Sequence, residues 1–182
     1  MKRWFILLFV ITYTHSFSQT LPLPPRETQA LNGTQIIAKL SPLSLTARED
    51  TIFNEIKKGN VPNFLRTLVS VYDTIVVANV TYYVNYFVTP DYFALGCDSD
   101  YFLCPMTPLL AQKVADYMGF SLPTRKMSDV IWKNARVKMS PQTIPPSPQM
   151  TTIPVFATHD SMVWAQRQTF LPQHPLGELV AG

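Results

Sequence analysis

The chain has 182 residues, 47% apolar, 12% aromatic and 15% charged, with a formal net charge of +3. So many apolar and so few charged residues exclude intrinsic disorder for most of the length, which allows one domain with a proper core, or one domain and an arm. Sixteen prolines against six glycines force many extended or turn positions and argue against a helix bundle.

Met1-Lys2-Arg3, the apolar stretch Trp4–Thr12 and the small-residue end Ser16-Phe17-Ser18 follow the order of a secretory signal peptide cleaved after Ser18. The stretch is short for a bilayer core of about 30 Å, so an integral membrane anchor is not expected and the destination is secreted or periplasmic. Of 15 basic residues, Lys2 and Arg3 leave with the leader, so 13 remain against 12 acidic, a net charge of +1. No basic stripe is left, which excludes a nucleic-acid partner. His15 also departs. His159, His174, Cys97 and Cys104 then remain, without Cys-x-x-Cys or His-x-x-x-His spacing, and neither a metal nor a cofactor is expected.

Residues 19–45 read as a Pro-rich arm with one strand-like run over Gln35–Leu40. Thr46-Ala47-Arg48-Glu49 reads as a capping box opening a helix with Ile52, Phe53 and Ile56 inward, closed by Gly59. A second short helix is expected over Pro62–Val69. Residues 74–89 alternate with period two, Val76 to Val88 against Asn79, Thr81 and Asn85, so strands with one covered face and a bulge or hairpin near Asn79 are expected. Asp91–Leu95 begins the next strand. The Asn32 and Asn79 sequons are read as formal only.

Thr107 and Pro108 start a helix carrying Leu110, Ala111, Val114, Ala115 and Met118, ending at Gly119. Thr124 starts another, with Met127, Val130, Ile131 and Ala135 inward. Five prolines in 141–154 predict an extended strap, and a last helix is expected from near Thr158 with Met162, Val163 and Phe170. The ending Leu176–Gly182 reads as interrupted, as in a fragment. The fold class is therefore α+β: a small, mostly antiparallel sheet with helices packed on one face, plus a Pro-rich extended strap. The divisions are a signal peptide over 1–18, an arm over 19–45 and one domain over 46–182.

Three places carry candidate chemistry. Asp98 and Asp100, one residue apart, are the first pair of acids; nothing resembling a calcium loop follows them, and such acids also serve as caps or ion-pair partners. Arg125 and Lys126 follow the Thr124 cap and oppose the helix dipole, which a bound anion or an ion pair to Asp98, Asp100 or Asp129 would offset. His159 is placed with Asp160 at the start of the last helix, as a general base or a cap. No G-x-S-x-G elbow or P-loop is present. The spacing of Cys97 and Cys104 gives no assurance of a bridge, and free thiols are expected.

The blocks Pro90–Pro108, Leu122-Pro-Thr-Arg-Lys-Met127 and Pro145–Thr152 together resemble a family of exported, uncharacterised bacterial proteins, over roughly residues 35–182. The resemblance implies export and a longer C-terminal part, and brings no activity. Two functions follow as expectations. One is an envelope-facing hydrolase with His159, Asp98 and Asp100 as catalytic groups and an anion-recognising pocket at Thr124, Arg125 and Lys126, taking an anionic peptide or saccharide. The other is a noncatalytic carbohydrate- or peptide-binding module of the cell envelope, with Tyr83, Trp132 and Trp164 as stacking surfaces. A flat aromatic surface would favour the second.

Overall fold

The computed structural model describes residues 19–182; the leader expected over residues 1–18 lies outside them. The fold is α+β. Among the described residues the strands form three separate two-stranded ribbons, two antiparallel and one parallel, rather than a continuous sheet.

The expected strand at Gln35–Leu40 is instead a helix, α1 (Gly33–Leu40). Asn32 accepts the Gln35 N–H at 2.9 Å while the Gln35 side chain accepts the Asn32 N–H at 3.0 Å, a reciprocal cap that starts the helix. Ile36 and Leu40 enter the main core, and Leu21 is also buried, so the Pro-rich segment is anchored at Leu21 and again from α1 onward. Gly33 permits this approach, since a Cβ there would lie 2.6 Å from the Tyr101 carbonyl carbon.

Helix α2 (Leu45–Lys57) is capped by Ser44, whose Oγ accepts the Ala47 N–H at 3.4 Å, and not by the expected box at Thr46. Glu49 is drawn away to the Thr107 N–H at 3.0 Å. Beyond Gly59 the expected helix over Pro62–Val69 shrinks to one tight turn, Asn63–Leu65. The chain then extends because the Leu68 N–H donates to the Gln19 carbonyl and the Leu21 N–H to that of Arg66.

Strands β1 (Val69–Val77) and β2 (Val80–Val88) form the expected hairpin, in regular register from Val69 opposite Val88 to Val77 opposite Val80. Ala78 and Asn79 both take positive φ, 48° and 62°, as a two-residue turn between twisted strands requires. The expectation of one covered face fails towards the tip. Only the base is covered, by Val130, Ala135 and Leu179 against Val71, while Val76, Val77, Val80, Tyr82 and Tyr83 remain exposed.

β3 (Ala94–Cys97) and β4 (Asp100–Leu103) form a short ribbon that α1 crosses. α3 (Pro108–Met118) and α4 (Arg125–Asn134) start as expected, with Thr107 and Thr124 accepting the Leu110 and Met127 N–H groups at 3.3 Å and Gly119 left-handed. Next comes β5 (Val137–Lys138). The strap is shorter than expected, because α5 (Ile153–Phe170) begins five residues before Thr158. Pro154 belongs to its first turn, where a missing N–H costs nothing. Met162, Val163 and Phe170 are half-buried, and the buried α5 side chains are Ile153 and Arg167.

β6 (Val180–Ala181) pairs in parallel with β5 and buries Leu179 and Val180. Arg167 holds the approach to it, donating to the His174 and Pro175 carbonyls at 2.8 and 2.9 Å. Among the described residues no helix is long and apolar enough to cross a membrane.

Candidate functional site

The hairpin presents an open receptive surface. Counting in twos from the Ala78-Asn79 turn, Ser70, Tyr72, Thr74 and Val76 share one face with Thr81, Tyr83 and Asn85. Tyr72 is 65% and Tyr83 86% exposed, so both rings lie open to water. They are diagonal neighbours, since Tyr72 stands opposite Asn85 and Tyr83 opposite Thr74, which sets them about 7–8 Å apart. Ser70 Oγ donates to Asn85 Oδ1 at 2.6 Å and orients that amide. An open groove of about 440 Å³ runs here, lined by Tyr72, Asp73, Thr74, Tyr83, Val84 and Asn85.

The first turn of α4 packs on the other face of the hairpin, the one that carries Val71, Asp73 and Tyr86. Lys126 Nζ lies 3.9 Å from Asp73 Oδ2, so its partner is none of the three aspartates expected from the sequence. Arg125 is exposed and forms no ion pair among the described residues. Tyr86 Oη donates to the Met127 carbonyl at 3.2 Å and Asn134 Nδ2 to the Tyr72 carbonyl at 3.3 Å, fixing α4 against β1 and β2.

The expected catalytic residues are engaged by separate main-chain groups. Asp98 Oδ1 accepts the Phe64 N–H at 3.2 Å, and Asp100 Oδ1 accepts the Thr34 N–H at 3.0 Å. His159 Nε2 meets the Gln142 carbonyl at 3.0 Å, tying α5 to the strap. His159 and Asp160 sit within α5 and cap nothing, which corrects their expected place at its start.

A second group of acids gathers where α5 crosses the β3–β4 ribbon. Asp160 Oδ1 accepts the Leu103 N–H at 3.1 Å. Burial, with the nearby charges of Asp100 and Asp91, pushes its pKa up to about 6, against the opposing Leu103 N–H and His159. Burial also raises Asp91 to about 6, opposed by the Tyr92 N–H and the Arg167 charge. Tyr101 is pushed up by burial and these acids, and its ring stands edge-on to Trp164 at 5.3 Å.

The other two stacking candidates are therefore far less open than Tyr83. Trp164 is half-buried, and Trp132 is exposed with Lys138 Nζ 4.6 Å from its ring centre. Sequence reasoning missed Tyr72, which lay just before the run taken as period two; pairing backwards from the turn would have found it. It also missed Asp91 and Arg167, whose burial no local pattern announces.

Both cysteines are free, as expected. The Ser99 hydroxyl beside Cys97 lowers that thiol's pKa, while burial raises that of Cys104. Among the described residues, no group of three or more His, Cys, Asp or Glu is placed to hold a metal ion. A second cavity, of about 220 Å³, is lined by Glu27, Lys39, Glu55, Lys58 and Asn60. Its charges are largely spent internally, with Lys39 and Lys58 on Glu55 Oε1 at 2.9 and 3.4 Å. No family model, no curated protein and no solved structure matches the chain.

Proposed function

We propose that the chain is an exported, noncatalytic binding module that takes an oligosaccharide on the open face of the β1–β2 hairpin. The carrying observation is the pair Tyr72 and Tyr83, exposed side by side above a groove whose polar groups are the hydroxyls and amide of Thr74 and Asn85. Tyrosine faces carry partial negative charge and attract the C–H faces of sugar rings, while hydroxyls and amides match sugar hydroxyls. The groove lies within the roughly 300–1,000 Å³ typical of small-ligand sites. The hydrolytic reading lacks comparable support, since His159, Asp98 and Asp100 are each held by a different main-chain group.

Titration calorimetry of the chain with neutral and uronic-acid oligosaccharides tests this. Tyr83→Ala and Tyr72→Ala should each weaken binding about tenfold, or about 1.4 kcal/mol, without changing the melting temperature. Absence of binding to either series, or full affinity in both tyrosine variants, refutes the proposal.

A further inference from the structure

The hairpin has a second open feature, its outer edge along β2. Residues flanking a two-residue turn exchange their hydrogen bonds across the hairpin, and the pattern alternates from there. Val80, Tyr82, Val84 and Tyr86 therefore point their main-chain groups inward, and Thr81, Tyr83 and Asn85 point theirs outward. Among the described residues no main-chain hydrogen bond reaches these outward groups. The β1 edge differs: Asn134 already occupies the Tyr72 carbonyl, and α4 packs beside it.

An open edge is ordinarily protected by Lys, Pro, a bulge or a covering segment. Here Thr74–Thr89 contains no charged residue and no proline, and the register runs without a bulge. The edge is also chemically palindromic about Tyr83. Val84 mirrors Tyr82, Asn85 mirrors Thr81, and Tyr86 mirrors Val80, so apolar matches apolar and polar matches polar.

The geometry points to a second copy of this chain as the occupant, with β2 pairing antiparallel to β2 of the other copy across a two-fold axis at Tyr83. Such an interface uses the same patch on both copies. Tyr83 meets its counterpart, Thr81 meets Asn85 of the other copy, and Tyr82 meets Val84. The two ribbons become one four-stranded sheet in which the exposed Val80 and Tyr82 lie opposite Tyr86 and Val84 of the other copy. The inference does not rest on saccharide binding, and its test contains no sugar.

Sedimentation of the full chain over a range of concentrations reads the association. The wild type should shift reversibly from monomer to dimer. Thr81→Lys with Asn85→Lys sets like charges at both contacts between 81 and 85 and should weaken association at least tenfold. Thr81→Lys with Asn85→Glu sets opposite charges there and should keep association within about threefold of the wild type. Circular dichroism melting confirms that both variants fold. A wild type that stays monomeric overturns the inference, including one whose Thr81, Tyr83 and Asn85 amides respond to an added extended peptide, because the edge then serves a foreign strand. Association unchanged by the paired lysines, or lost equally in both variants, also overturns it.

Discussion

Asp160→Asn should make the protein more stable at neutral pH, although it replaces a buried, hydrogen-bonded side chain. Asp160 accepts the Leu103 N–H, and burial with the charges of Asp100 and Asp91 raises its pKa from 3.8 to about 6. For an acid whose folded pKa lies above its unfolded value, the contribution to stability is whole below the unfolded value. It is lost as pH rises through the folded one. At 1.36 kcal/mol per pKa unit the full rise is worth about 3 kcal/mol. Partial water access to the carboxyl, and the asparagine amide hydrogens that must find partners, reduce the expected gain to about 1–2 kcal/mol. Asparagine keeps an oxygen for Leu103 and carries no charge. Urea unfolding of both proteins between pH 4 and 8 reads the effect: the variant should lead above about pH 6.5 and converge with the wild type near pH 4. Lower stability at neutral pH, or a difference independent of pH, refutes the reasoning and means that the carboxylate is compensated where it sits.

Arg167→Met removes two charge-assisted bonds to the His174 and Pro175 carbonyls, and about 2–4 kcal/mol of stability should go with them. Hydrogen exchange should then quicken first at the amides of Val180 and Met139, which tie the C-terminal segment to Pro90 and β5; uniform quickening would count against a local clamp. Gly33→Ala forces a methyl group against the Tyr101 backbone and should cost about 1–3 kcal/mol in thermal or chemical unfolding, and a neutral effect would show that α1 can retreat from β4. Cys97, whose thiol is lowered by Ser99, should react with iodoacetamide in the folded protein, whereas Cys104, raised by burial, should react only after unfolding. Mass spectrometry of the labelled peptides distinguishes the two, and equal rates in the folded state would contradict the assignment.

Local chemistry alone determined the α+β class, α3 and α4 with their threonine caps, and the hairpin turn near Asn79. In each case the deciding interaction spans four residues or fewer, or repeats with a short period. The reciprocal cap of Asn32 and Gln35 was equally local, but the surrounding prolines suggested an extended arm and the cap went unread. Other features were decided at a distance. Glu49 abandons its own helix for Thr107, the chain after Leu65 extends to bond with Gln19 and Leu21, and Pro154 belongs to α5 because Ile153 is buried in the main core. The candidate site divides in the same way. Tyr83, Lys126 and the alternation around them were legible, because strand period and helix caps are properties of adjacent residues. That Lys126 meets Asp73, and that Asp91 and Asp160 lie buried near one another, depend on which elements meet in space. Burial and charge proximity follow from those tertiary contacts, and no run of neighbouring residues encodes them.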